Sequence, residues 1–111
     1  MTWTLLEYVA EDGSLPFRTW FDGLNAQAAA KVTTALYRLE QGYRSNVRSV
    51  GAGVFEYRID SGPGYRIYFA RAGEELILLL GGGIKKGQHR DIHTAHLRWS
   101  QFKQRKKRSG N

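Results

Sequence analysis

The 111-residue chain contains no cysteine, only two prolines and a single methionine. Without thiols there is no disulfide framework and no thiolate metal site, and a cysteine-free small domain is compatible with a reducing cytoplasm. No run of about 20 apolar residues occurs, so no membrane span is expected. The opening stretch "MTWTLLEYVAEDG" has no basic segment ahead of its apolar residues, so it is not expected to act as a secretion signal. Acidic residues are scarce too: ten Asp and Glu stand against seventeen Lys and Arg, a formal net charge of +7. Such an excess points to a polyanion or an acidic protein as partner, and a well-solvated basic surface is the plainer alternative. The distribution tips the balance, because acidic residues crowd the first segment while "KQRKKR", Lys103 to Arg108, lies near the end. The length fits one domain over residues 1–111, with a basic tail from about 103 to 111 that is expected to fray.

What the chain does have is clear periodicity. "TWTLLEYV", residues 2–9, is rich in β-formers and ends at Glu11-Asp12-Gly13, a turn signal. Ser14 is placed to cap a helix and Pro16 to sit in its first turn. Phe17, Trp20, Phe21 and Leu24 follow i, i+3, i+4, i+7, an apolar helical stripe, with Gly23 and Asn25 at its end. A second helix runs from about Ala26 to Gln41, with Val32, Leu36 and Leu39 on one face, and Gly42 stops it. The two form an antiparallel helical hairpin.

From Val47 to Gly83 three strands are expected. "GVFEYRID" sets Phe55, Tyr57 and Ile59 against Glu56, Arg58 and Asp60, and "SGPG" is a turn. "YRIYFA" alternates again, with Tyr65, Ile67 and Phe69 on the core side and Arg66 and Tyr68 on the other. "RAGEE" reads as the next turn, and "LILLLGG", apolar on both faces, reads as a central strand. Ile92, Ala95, Trp99 and Phe102 then mark a final amphipathic helix packed back on the sheet. The expected fold is α+β, in the order β-α-α-β-β-β-α, with an antiparallel-rich sheet.

"LPFRTWFDGL", "GAGVFEYRIDSGPGYRIYF", "LILLLGGGIKKGQHRDI" and the closing helix, in that order, resemble the RelE/ParE toxin superfamily, and its HigB-like, Gp49-type "addiction module killer" branch in particular. The resemblance covers nearly the whole chain. It implies a RelE-like fold and a bacterial type II toxin: a cytoplasmic, metal-independent endoribonuclease that cuts mRNA, usually on the ribosome. The implied partner is an antitoxin, typically a small helix-turn-helix protein of the HigA type. The superfamily also holds ParE-type members that inhibit DNA gyrase and cut no RNA, so a gyrase inhibitor and a decayed toxin that only binds its antitoxin stand as alternatives.

Metal-independent RNA cleavage uses the ribose 2′-OH as nucleophile. It needs a base near that hydroxyl, cations on the phosphate and a proton for the leaving 5′-oxygen. Arg58 and Arg66 flank the "DSGPG" turn and are the first candidates for phosphate binding, each able to present a guanidinium fork. If their side of the sheet faces away from the helices, Glu56, Arg58, Arg66 and Tyr68 line one polar surface. A cross-strand salt bridge between Glu56 and Arg66 is the competing reading. Tyr68 is expected to stack on a base or to exchange a proton, its phenol brought into range by the neighbouring Arg66, or else to cover apolar surface.

The second candidate cluster is "GGGIKKGQHRDIH". Its glycines leave a strand open to close approach, or simply end it. Lys85 and Lys86 are candidates for transition-state stabilisation, His89 for acid or base, and Arg90 for phosphate contact. His89 and His93 share a helix face, but Asp91 lies off it, so no metal or other cofactor is expected; His96 has less to recommend it. Lys103, Arg105, Lys106 and Lys107 in the tail are expected to track RNA phosphates in a salt-sensitive way. Relatives that carry an essential tyrosine among their last residues differ here, since no tyrosine follows Tyr68.

Overall fold

The computed structural model describes residues 2–110. The β-rich start forms β1 (Thr4–Glu7), and two helices follow, α1 (Pro16–Asp22) and α2 (Ala26–Glu40). Pro16 takes the first position of α1, where its missing N–H would have had no helical partner. Leu15, not Ser14, is the N-cap residue, and no side chain caps this helix; Ser14 donates its backbone N–H to Asp12 Oδ1 at 2.9 Å. Asn25 opens α2 rather than closing α1: its Oδ1 accepts the Ala28 N–H at 2.8 Å.

Val47–Ser49 form β2, a strand too short to show an alternation in the sequence. Then come β3 (Val54–Ile59), β4 (Tyr65–Gly73) and β5 (Leu76–Ile84). "SGPG" is a turn, closed by the Gly64 N–H on the Ser61 carbonyl at 3.0 Å. The last two strands run further than the turn signals suggest. β4 continues to Gly73, leaving Glu74 and Glu75 as the whole turn, with Glu75 in the left-handed region at φ 58°. β5 carries its three glycines inside the strand. A 3-10 turn, Lys85–Gly87, leads into α3 (Gln88–Gly110), so the basic tail is helical through Gly110 rather than frayed.

The sheet order is β1-β5-β4-β3-β2; β1 and β5 are parallel and the other pairs antiparallel. The architecture is the expected α+β one, with β2 added at an edge. β5 lies between β1 and β4 and is buried on both faces, which explains why "LILLL" shows no alternation.

Two apolar layers hold the sheet. On one face Phe17, Val32, Ala35 and Leu39 of the helical hairpin pack on Tyr57, Ile67, Phe69, Ile77 and Leu79. On the other, Ala95, Ile92, Trp99 and Phe102 of α3 cover Tyr8, Val54, Tyr68, Ala70, Leu78 and Leu80. This second layer corrects the expectation that Arg66 and Tyr68 face outward. The alternation separates them from Ile67 and Phe69, but α3 lies over their face, leaving Arg66 4% and Tyr68 1% exposed. Among the described residues no helix is long and apolar enough to cross a membrane.

Candidate functional site

At the β3–β4 turn the strand register sets Arg58 directly opposite Arg66. Like charges so placed repel, and the compensation lies beneath them. Glu56, two residues before Arg58 and so on the same face, is 0% exposed. Its Oε2 accepts Arg48 Nε at 2.8 Å and its Oε1 accepts Gln88 Nε2 at 2.7 Å. Arg66 Nε lies 3.6 Å from Oε1, an ion-pair distance too long for a hydrogen bond. One buried carboxylate thus ties β2, β3, β4 and α3 together. The salt bridge weighed from the sequence forms, and Arg48 and Gln88 complete it.

Arg66 nonetheless keeps most of its hydrogen-bonding capacity. Among the described residues its Nε has no hydrogen-bond partner, and its Nη1 reaches the Tyr65 carbonyl only at 3.5 Å. The guanidinium opens into a recess of about 500 Å³ walled by Arg48, Arg58, Asp60, Lys85, Gln88 and the turn residues. Gly64, at φ 78°, packs where a methyl would come 3.3 Å from Lys85 Cβ and 3.5 Å from Arg66 Nη1. The Lys85 N–H reaches the Pro63 carbonyl at 3.3 Å. The tight turn therefore brings Lys85, from the far end of β5, to the arginine pair. Four cationic side chains converge on this recess, with Asp60 as the carboxylate on its wall and Glu56 engaged below.

The other sequence candidates are not gathered there. Lys86, His89 and Arg90 line a separate groove of about 710 Å³, with Trp20, Gly82, Gly83 and Asp91. His93 is exposed, and His96 Nε2 lies 3.0 Å from the Val50 carbonyl oxygen. Lys103 lies over the Trp99 ring, about 22 Å along the helix from Gln88. Arg105 sits over the Tyr8 ring and donates to the Val9 carbonyl at 2.8 Å. Lys106 lines a shallow groove with Phe102, and Lys107 is exposed.

Tyr68 lies under α3, and among the described residues its hydroxyl has no hydrogen-bond partner. Burial pushes its phenol pKa well above the ordinary value, the Glu56 and Asp91 carboxylates add to the rise, and Arg66 opposes it. Arg66 acts in the expected direction but does not decide the net shift, because loss of water outweighs one nearby cation. The glycines of β5 also acquire a reason. A methyl at Gly81 would come 2.7 Å from Arg98 Nη1, one at Gly82 would strike the Trp20 ring, and one at Gly83 the Asp91 carboxylate. They admit side chains of α1 and α3 against the strand.

A family model described as phage-derived protein Gp49-like matches residues 19–100. The chain belongs to this Gp49-like family of RelE-superfamily toxins. The match runs from within α1 through α2 and the recess into α3. A protein of Haemophilus influenzae described only as uncharacterized is 41% identical over 85 residues, covering 76% of this chain and 86% of the relative. The E. coli toxin RelE, solved in the free state as a double mutant, superposes with a TM-score of 0.63 over 87% of this chain and 96% of its own, at 12% identity. That likeness establishes the RelE fold.

Sequence reasoning missed three residues of the recess. Arg48 belongs to a strand too short to recognise, Asp60 stands in the alternation only as one of a polar set, and Gln88 carries no signal of its own in the sequence. A usable signal was present for Asp60, which shares the alternation of Glu56 and Arg58.

Proposed function

We propose that this Gp49-like protein is the toxin of a bacterial type II toxin–antitoxin module and a metal-independent endoribonuclease that cuts mRNA on the ribosome. The observation that carries this reading is the convergence of Arg48, Arg58, Arg66 and Lys85 on one recess. A phosphodiester is the ligand such a set suits. The Arg66 fork takes two non-bridging oxygens, and Arg58 and Lys85 oppose the charge that builds as phosphorus becomes five-coordinate. The 2′-oxygen attacks the adjacent phosphorus, the bond to the 5′-oxygen breaks, and a 2′,3′-cyclic phosphate and a 5′-hydroxyl result.

Asp60 on the recess wall and His89 across the Lys85–Gly87 turn have the chemistry to take the 2′-OH proton and protonate the leaving oxygen. Tyr68 lies outside the recess and stays a neutral phenol, because burial opposes the phenolate. Lys86 and Arg90 extend the cationic track past the recess, and Lys103, Arg105, Lys106 and Lys107 hold RNA phosphates along α3. The ribosomal target places the protein in the cytoplasm, and a small helix-turn-helix antitoxin is its partner.

The test is incubation of the purified, antitoxin-free protein with translating ribosomes and a defined mRNA, with mapping of the new ends. Cuts bearing cyclic phosphate are expected, and Arg66→Ala and Lys85→Ala should remove them while circular dichroism stays unchanged. Intact mRNA with the unaltered protein would sink the reading. Inhibition of gyrase supercoiling with mRNA left whole would replace it.

A further inference from the structure

A cavity of about 520 Å³ opens between α1 and α3, beside the part of β5 that β1 does not reach. It shares no lining residue with the phosphate recess. Tyr68, whose buried hydroxyl has no hydrogen-bond partner among the described residues, lines it. So does the half-buried Asp91 carboxylate, which no hydrogen bond or ion pair holds among the described residues. Arg98 gives its Nη1 to the Leu80 carbonyl at 2.9 Å and retains its other donors. Burial raises the pKa of Asp91, with Arg90 and Arg98 opposing, and the Tyr68 phenol, whose ordinary pKa is already alkaline and is raised further by burial, is a hydrogen-bond donor at neutral pH.

Trp20, Gly82 and Asp91 are common to this cavity and to the groove that carries Lys86, His89 and Arg90. An indole, an acceptor and a donor therefore border one compartment, and cations border the next. A nucleotide has the same division, with a flat base bearing donors and acceptors beside an anionic phosphate.

We propose that the cavity receives one base of the RNA strand and prefers a base with an exocyclic amine, cytosine above all, to uracil. The inference rests on RNA being the substrate. As a carboxylate Asp91 can only accept, so it pairs with the amine N–H; the Tyr68 hydroxyl donates to the ring nitrogen beside that amine. Uracil offers its N3–H between two carbonyl oxygens, which the carboxylate repels.

The experiment measures binding of two single-stranded oligodeoxynucleotides of equal length, oligo(dC) and oligo(dU), by fluorescence anisotropy. Neither has the 2′-OH, so neither is cut, and both carry single-ring bases, so ring size does not decide. Oligo(dC) is expected to bind about tenfold tighter. Asp91→Asn and Tyr68→Phe should each reduce the ratio below about threefold while oligo(dU) affinity is kept, which shows that the variants fold. Arg66→Ala should weaken both oligonucleotides alike. Equal binding by the unaltered protein, or a ratio that survives both variants, overturns the inference. So does CMP alone binding as tightly as oligo(dC), which would make the cavity a site for free nucleotide. RNA that is cut while no base preference appears leaves the nuclease standing and removes the base site; a preference for dC with uncut RNA does the reverse.

Discussion

Glu56 Oε1 accepts the side-chain N–H of Gln88 at 2.7 Å, joining the middle of β3 to the first residue of α3. The same carboxylate holds Arg48 and stands beside Arg66, so the buried charge is matched from three directions. Removing it strands Arg66 in the interior. Glu56→Ala is expected to cost about 3–5 kcal/mol, the range for breaking a buried pair. Arg48→Ala should cost far less, because Arg48 is 55% exposed and water screens what it gains. Urea unfolding of the two variants measures the difference; equal losses would show that the carboxylate is not the centre of the cluster.

The partnerless hydroxyl of Tyr68 leads to a pH signature. Its folded pKa is raised above the ordinary 10, mainly by burial. Above pH 10 the unfolded chain releases this proton and the folded chain holds it, so stability is intact below that pH and falls as pH rises beyond it. Tyr68→Phe should flatten that fall, and at pH 7 it should be neutral or stabilising by up to about 1–2 kcal/mol, since it removes an unsatisfied buried group. Thermal melts at pH 7 and pH 11 test both parts; an unchanged alkaline slope counts against the buried phenol.

The glycines of the sheet should differ sharply in their tolerance. Gly82→Ala drives a methyl into the Trp20 ring and is expected to destabilise by about 1–3 kcal/mol. Gly73→Ala meets only Leu76 side-chain atoms at 3.8 Å, ordinary contact, and should be within about 1 kcal/mol of neutral. Chemical denaturation of the pair tests the close packing of α1 on β5, which equal effects would contradict.

Phosphate contact predicts a salt signature. Arg58 is exposed on the recess wall, so Arg58→Ala should weaken single-stranded RNA binding to a similar extent whatever the sequence. It should also lower the slope of log affinity against log salt by about 0.7, the value for one phosphate on a single strand. Titrations at several salt concentrations give the slope; an unchanged one would remove Arg58 from the phosphate site.

Much of the fold was legible because helix and strand periods are local. The stripe Phe17, Trp20, Phe21 and Leu24 marked the first helix, and the alternation in "FEYRI" and "YRIYF" assigned each side chain to one of two faces. The site was legible only in part. Arg58, Arg66 and Lys85 were singled out and do converge, but Lys86 and His89 belong to the neighbouring groove and the basic tail lies along α3, away from the recess. Chain neighbours at the end of a strand diverge as the chain turns, and adjacency in sequence does not say which way.

By itself the sequence determined the parity of β3 and β4, the helices and the excess of positive charge, since each depends on residue type and near neighbours. Only the tertiary structure decided that α3 covers the face bearing Arg66 and Tyr68, that Arg48 and Gln88 meet on Glu56, and that the cations divide between two depressions. Period-two alternation says that two side chains share a face, but what covers that face depends on strand register and on where a helix some twenty residues later comes to rest. A side chain read as exposed was therefore buried, and the polar pair within "YRIYF" became the buried inner wall of two sites.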